Sequence, residues 1–188
     1  MPHFVHSLGL ENAMVTEYSY GMFLLRHGFI CIGHGLFSSV YAKPGSSRVI
    51  KIGTGTDAWA HYALWGTAKR YAGTFCPKVY SLKFHRGFYV AVMERLVCTL
   101  SESSGSSHQT RLYEKMRYAM KGYGDTHLLP PSALKFAQAC RKAEFANDLH
   151  QGNFMIRANG HLVVIDPCAR DFRDKPLYRI KNGYIVQH

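Results

Sequence analysis

Acidic residues are scarce in this chain: 12 Asp and Glu stand against 23 Lys and Arg, for a formal net charge of +11. Such a balance favours anionic partners, whether nucleic acid, phosphates or acidic protein surfaces, and charge alone does not choose among them. The basic residues are dispersed rather than gathered in one tract, which also suits a plainly solvated surface and makes direct nucleic-acid binding a secondary reading. No run of about 18 apolar residues occurs, and the start of the chain carries Glu11 and Glu17 instead of a basic stretch followed by an apolar one. Neither a membrane span nor a signal peptide is expected. Paired cysteines are missing too. Cys31, Cys76, Cys98, Cys140 and Cys168 are odd in number and scattered without a C-x-x-C, which argues against a disulfide framework and a zinc site and points to a reducing cytoplasm. The 11 histidines are dispersed, and no second His lies at ligand spacing from His150, which reads as a loop-ordering hydrogen bonder.

What is present is enough to build one domain: 188 residues, 47% of them hydrophobic, can bury one core or two small lobes sharing a cleft. Residues 10 to 26 predict a helix. Three short strands follow: Cys31 to Gly33 ends the first, Ser39 to Ala42 forms the second and Arg48 to Ile52 the third, with "KPGSS" as the turn between the last two. Residues 57 to 71 predict a helix capped by Asp57, with Trp59, Tyr62 and Trp65 at helical spacing as core. "KVYSLKF", a His-Arg-Gly turn and "FYVAVMERL" form a hairpin whose second, near-continuously apolar strand is buried. "SESSGSS" (101 to 107) reads as a flexible link. Helices are expected over 109 to 121 and, starting at "PPSA", over 131 to 146. "FMIR", the turn "ANG" and "HLVVIDP" make a last hairpin with Asp166 at a strand end.

The stretch "NDLHQGNFMIRANGHLVVIDP" sets Asp148, Asn153 and Asp166 on a fixed grid, with Asn153 five places after Asp148 and Asp166 thirteen beyond that. In chain order come "GHGLFSSV", "VIKI", "VMERL", "DLHQGN" and "IDP". Any one of these is weak; together, from about residue 30 to 168, they resemble the protein-kinase-like superfamily. The resemblance implies an α+β, minimal two-lobed protein-kinase-like fold: an N-lobe of about residues 1–96 with an antiparallel five-stranded sheet plus helix, a hinge and link at about 93–108, and a reduced helical C-lobe at about 109–188, within a single domain of 1–188. It implies ATP and Mg2+ as cofactors. Gly33, Gly35, Ser38 and Val40 of the glycine-rich stretch, Lys51, and Glu94 and Leu96 of the hinge become nucleotide contacts, with adenine met by backbone groups of 93 to 96. Asp148 and Lys51 become catalytic, Asn153 and Asp166 metal-binding.

The chemistry is consistent with those residue types. A triphosphate needs close backbone approach, a cation and metal-binding oxygens. Gly33 and Gly35 permit a tight turn whose amides can face phosphate, Lys51 projects a point charge, Asn153 and Asp166 offer hard oxygens suited to magnesium, and Asp148 is left to accept a hydroxyl proton. Each also has a plain structural use: the glycines as a hairpin turn, Asp148 and Asn153 as loop hydrogen bonders. Lys51 is the hardest to dismiss, because an unpaired ammonium in an apolar strand is costly.

Within the superfamily, "NDLHQGNFMI" followed by "VVIDP", together with the "HRGFYVAVMERL" strand, is most similar to the small early serine/threonine kinases of autographivirus-type bacteriophages. That family's activity implies phosphorylation of host proteins in the host cytoplasm, such as RNA polymerase or nucleic-acid-associated translation and RNA-processing factors. Three departures stand out. Between Lys51 and Glu94 the only carboxylate is Asp57, so either Asp57 stands in for the usual helix Glu or Lys51 meets phosphate without a partner. Asp166-Pro167-Cys168 replaces Asp-Phe-Gly, and a proline at that place disfavours a swinging switch. Only 22 residues follow Asp166, with no Ala-Pro-Glu, which leaves little chain for a peptide-gripping platform. A kinase-shaped binding protein that inhibits a host target, and a small-molecule phosphotransferase, therefore stand as alternative functions.

Overall fold

The computed structural model describes residues 16–55, 57–100, 107–123, 129–168, 178–181 and 184–187. The first element, α1 (Glu17–Arg26), starts at a capping box in which the Thr16 side chain accepts from the Ser19 amide and Ser19 returns the bond. Residues 10 to 15 of the expected helix lie outside the described residues. Five strands follow: β1 (Ile30–His34), β2 (Ser38–Ala42), β3 (Arg48–Thr54), β4 (Val79–His85) and β5 (Phe88–Glu94), with helix α2 (Ala58–Ala68) between β3 and β4. They form one antiparallel sheet in the order β1-β2-β3-β5-β4. The fold is thus α+β, with a five-stranded antiparallel sheet and four α-helices among the described residues.

Both faces of this sheet are covered, as the period of β3 requires: residue by residue its side chains alternate between faces. Ile52 joins Leu24 of α1, Phe88 and Val90 in one cluster. Val49 joins Ala42, Tyr89, Ala91 and Met93 against Trp59, Ala60 and Ala63 of α2 in another. Helix α2 is buried on nearly every side, in keeping with its mostly apolar sequence. Its remaining face, Ala58, Tyr62 and Trp65, belongs to a third and larger cluster with the C-terminal half of the chain.

That half contains β6 (Cys98–Thr99), α3 (Ser107–Lys121), α4 (Pro131–Lys142), a 3-10 turn at Gln151–Asn153, the hairpin β7 (Phe154–Ile156) and β8 (Leu162–Val164), and a second hairpin, β9 (Tyr178–Lys181) with β10 (Tyr184–Gln187). Strands β6-β7-β8 form a three-stranded sheet. The β7–β8 hairpin was expected from sequence, whereas β6 and the β9–β10 hairpin were not. Met116, Met120, Phe136, Cys140, Phe145, Phe154 and Val164 are fully buried around Tyr62. Of the expected link "SESSGSS", residues 101 to 106 lie outside the described residues, and Ser107 already begins α3.

Two expected helix ends are corrected. Helix α2 stops at Ala68, not at 71, with Arg70 in a left-handed backbone at φ 60. Helix α4 stops at Lys142, not at 146, because Glu144 adopts a left-handed backbone at φ 62. The Phe145 amide then donates back to the Cys140 carbonyl at 2.9 Å, and the Phe145 ring drops into the core at 0% exposure. No helix of the described residues is long and apolar enough to cross a membrane.

The two halves are joined through Tyr62, whose hydroxyl donates to the Val164 carbonyl of β8 at 2.8 Å while the ring is wholly buried. Tyr62→Phe leaves that carbonyl unpaired in the core and is expected to cost about 1–2 kcal/mol. In a chain of this length that corresponds to a melting midpoint lowered by roughly 3–6 °C, measured by thermal denaturation followed by circular dichroism.

Candidate active site

A cleft opens between the five-stranded sheet and the β7–β8 hairpin. Ile32, Val40, Val49, Lys51 and Trp59 line one side; Met93, Glu94, Arg95 and Leu96, where β5 runs out, form the back; Asn153, Met155, Ile165 and Asp166 close the other side. The walls are mostly apolar and carry few polar groups, a composition typical of small-molecule sites. Of the residues expected from sequence, Val40, Lys51, Glu94, Leu96, Asn153 and Asp166 are brought together here. Gly33, Gly35, Ser38 and Asp148 are not among the lining residues.

The glycine-rich stretch is the β1–β2 hairpin. Gly33 sits at an irregularity in the β1 register, the Gly35 amide donates to the Ser38 carbonyl at 2.8 Å, and Ser38 pairs with Gly53 of β3. The turn does not itself demand glycine: a Cβ on Gly33 would meet Val40 at 3.8 Å and one on Gly35 the Ser38 carbonyl at 3.7 Å, both ordinary contacts. Both glycines are exposed, and the Gly35 amide, expected to face phosphate, is taken up by the Ser38 carbonyl.

Asp148 is not a lining residue but belongs to the loop that carries Asn153. Its amide and that of Asn147 both donate to the Pro167 carbonyl, at 3.1 and 3.2 Å, so Pro167 ties the Asp148 loop to the Asp166 segment. The Asp148 carbonyl accepts from Asn153 Nδ2 at 3.0 Å. Its carboxylate, 36% exposed, faces His150 Nε2 at 3.7 Å. His150 Nδ1 accepts from the Gly152 amide at 3.1 Å, the loop-ordering bond expected of it; a Cβ on Gly152 would press on that ring at 2.9 Å.

Lys51 and Asp166 form the polar heart of the cleft. Lys51 is 6% exposed, and its Nζ lies 3.3 Å from Asp166 Oδ2 and 4.0 Å from Asp57 Oδ2. Asp57 is thus the second, more distant counter-charge, so Lys51 is not without a carboxylate near the helix start. Burial raises the proton affinity of Asp166; Lys51 opposes this, while the charges of Asp57 and Asp148 add to it. Asp166 Oδ1 is buried and makes no hydrogen bond among the described residues.

That orphaned oxygen bears on whether the site suits a divalent cation. With Asn153 Nδ2 engaged by Asp148, the Asn153 amide oxygen is left for another partner, and Asp166 Oδ1 is a second hard ligand. Among the described residues no three His, Cys, Asp or Glu side chains gather to cage a metal. Two protein oxygens fit a magnesium ion that draws its remaining ligands from substrate phosphate and water.

Glu94 lines the cleft, yet its side chain is committed to structure. Arg157, at the end of β7, donates from Nη2 to Glu94 Oε1 at 2.7 Å and from Nε to Oε2 at 3.0 Å, and also holds the Thr74 and Cys76 carbonyls. The Lys78 amide donates to Oε1 at 2.7 Å. The Leu96 amide makes no hydrogen bond among the described residues, so backbone groups are what this wall can offer a ligand. Sequence reasoning missed Arg157 because nothing local links it to a Glu 63 positions earlier. It also missed Ile32, Val49, Trp59, Met155 and Ile165 as lining residues, whereas Met93 and Arg95 fall within the expected hinge of 93 to 96. Strand alternation could have found Val49, two places before Lys51 on β3. Trp59 was expected as core, which it is at 1% exposure, but it also borders the cleft.

The bidentate pair has a pH signature. Burial alone would raise the Glu94 carboxyl, but hydrogen bonds from Arg157 and the Lys78 amide, with their charges, hold it below its ordinary range. A carboxyl depressed in the folded state stabilises the fold above its unfolded value of about 4.3–4.5 and loses that contribution as pH falls through the lower folded value. Glu94→Gln is therefore expected to cost roughly 2 kcal/mol at pH 7, a gap to wild type that narrows as pH drops below about 4.5. Urea unfolding at pH 7 and at lower pH measures it; an equal gap at all pH values contradicts the charge-assisted pair.

A comparison with curated proteins finds no match. The family model described as bacteriophage T7 protein kinase 0.7 does match, over residues 14–176. This stretch runs from just before α1 through every wall of the cleft and past Asp166, and on that evidence the chain belongs to this phage protein kinase family.

Proposed function

We propose that the protein is an ATP-dependent serine/threonine kinase acting on host proteins, with a single two-lobed domain. In this reading the sheet with α1 and α2 is the N-lobe, residues 93–108 are hinge and link, and the rest is a reduced C-lobe. The observation that carries it is the convergence of Lys51, Asn153 and Asp166 on one apolar-walled cleft, with Asp148 held by the same loop. Family membership supports phosphoryl transfer to protein; the hydroxyl acceptor and the host targets follow from the sequence resemblance.

Each residue has a role its surroundings suit. Apolar side chains of Ile32, Val40, Val49, Met93 and Met155 enclose a flat base, and backbone groups at 94–96 hydrogen-bond its edge. The exposed, side-chain-free backbone at Gly33 and Gly35 covers phosphates. Lys51 neutralises phosphate oxygens. Asp166 Oδ1 and the Asn153 amide oxygen would hold magnesium, which when bound neutralises charge developing on the phosphates. Asp148 orients the acceptor hydroxyl and takes its proton as that oxygen bonds to the terminal phosphorus, the bond from phosphorus to the bridging oxygen breaks, and ADP departs. The basic surface, +11 overall, steers acidic or nucleic-acid-associated host proteins to the cleft. Direct nucleic-acid contact is secondary, and no membrane partner is invoked.

Radiolabelled ATP with host lysate tests the reading. Wild type should label discrete proteins, and Asp148→Ala should reduce labelling by about 10²–10⁴-fold while calorimetry still shows magnesium-dependent nucleotide binding. Asp166→Ala should lose that binding. Equal labelling by wild type and Asp148→Ala would assign the activity elsewhere and favour an inhibitory binding protein.

Steering has its own test. Between roughly 0.05 and 0.5 M salt, target phosphorylation should fall more steeply than basal ATP hydrolysis, because exposed charges are screened. Parallel decline would mean that the target is gripped by shape instead.

A further inference from the structure

The ammonium of Lys51 is surrounded by a structure that sequence does not bring together. Its Nζ lies 4.5 Å from the centroid of the Trp59 ring and 4.0 Å from Asp57 Oδ2. The Trp59 indole is stacked on the Tyr89 ring, with centroids 5.6 Å apart and planes at 15°. The Tyr89 hydroxyl donates to Asp57 Oδ2 at 2.6 Å, and the Trp59 amide donates to Oδ1 at 2.9 Å. Both oxygens of Asp57 are therefore engaged and both rings are fixed. All four side chains are buried: Lys51 is 6% exposed, Asp57 5%, Trp59 1% and Tyr89 0%.

The space for this arrangement depends on one glycine. Gly53 lies across from Tyr89 in the β3–β5 ladder, and a Cβ at 53 would run into the Tyr89 ring. Burial, followed by the charge of Asp57, holds the Tyr89 hydroxyl in its protonated form, so it remains the donor that orients the carboxylate.

We propose that Asp57, Trp59 and Tyr89 form a positioning unit for Lys51, doing the work of the helix carboxylate that this chain lacks. A carboxylate in a full, close ion pair would satisfy most of the ammonium's charge. An indole face and a carboxylate already shared with a hydroxyl hold it more loosely. Lys51 can then leave Asp166 and meet a phosphate without losing its position, and Asp166 Oδ2 is released at the same time. The proposal rests on the cleft being a nucleotide site, but the placement of Lys51 can be read without nucleotide.

The chain has two tryptophans, Trp59 and Trp65. In the unliganded protein, Lys51→Met should change tryptophan emission, and the same substitution made in a Trp59→Phe background should not. Tyr89→Phe keeps the ring and removes only the hydroxyl, and Asp57→Asn keeps a helix-capping side chain. Each should lower kcat about tenfold or more, with the KM for ATP within about threefold of wild type. Either change added to Lys51→Met should give little further loss. Emission that is indifferent to Lys51, or turnover by Tyr89→Phe and Asp57→Asn within about twofold of wild type, overturns the positioning unit and leaves the kinase reading intact. Emission that depends on Lys51 in a protein that binds no nucleotide supports the unit and overturns the nucleotide reading.

Discussion

A buried ammonium is the constraint on which the rest of this structure depends. Lys51 is almost out of contact with water, and an ion in that position costs several kcal/mol unless charges and dipoles are arranged around it. Strand β3 turns it to the same face as Val49, toward α2 and the C-terminal half. Asp166 supplies the nearer counter-charge and Asp57 the farther one, with the Trp59 face beside them. Residues from β3, α2 and the segment after β8 must therefore meet at one point.

Two charged pairs cross between the sheet and the β7–β8 hairpin. Lys51–Asp166 lies within the cleft, and Glu94–Arg157 ties the end of β5 to the end of β7. They differ in kind. The Arg157 fork is bidentate, further hydrogen-bonded to two carbonyls and suited to a fixed joint. The lysine pair is a single contact at 3.3 Å beside an orphaned carboxylate oxygen, an arrangement a cation and a phosphate could divide between them. A rigid joint next to an exchangeable pair suits a site that keeps its shape while its charges change partners. Helix α2 completes the frame, since it packs the sheet cluster with Trp59 and the larger cluster with Tyr62 and Trp65.

Much of this was legible in the chain. The five strands, the Asp57 cap and the β7–β8 hairpin all follow from local period and turn chemistry, and the order of Lys51, Asn153 and Asp166 anticipated three residues that share a cleft. The end of α4 was not legible, because the left-handed Glu144 serves the burial of Phe145, a contact with residues far away in sequence. The glycines show a different limit: Gly33 and Gly35 permit a tight turn, yet the turn would tolerate a side chain at either place. The glycine with the strictest packing need near Lys51 is Gly53, which no motif marked.

What the sequence by itself determined is the inventory and its order: a lysine on an apolar strand, an Asp–Asn–Asp grid in a loop and hairpin, and the shortage of acidic residues that leaves Asp57 as the sole carboxylate between Lys51 and Glu94. These are local or compositional properties, and periodicity and spacing carry them. Only the tertiary structure decided which charges neutralise which. It gave Glu94 to Arg157, set Asp166 closer to Lys51 than Asp57, and placed the Trp59 indole beside the Lys51 ammonium. Partners 63 and 115 positions apart are chosen by how the elements pack, and desolvation makes those choices matter.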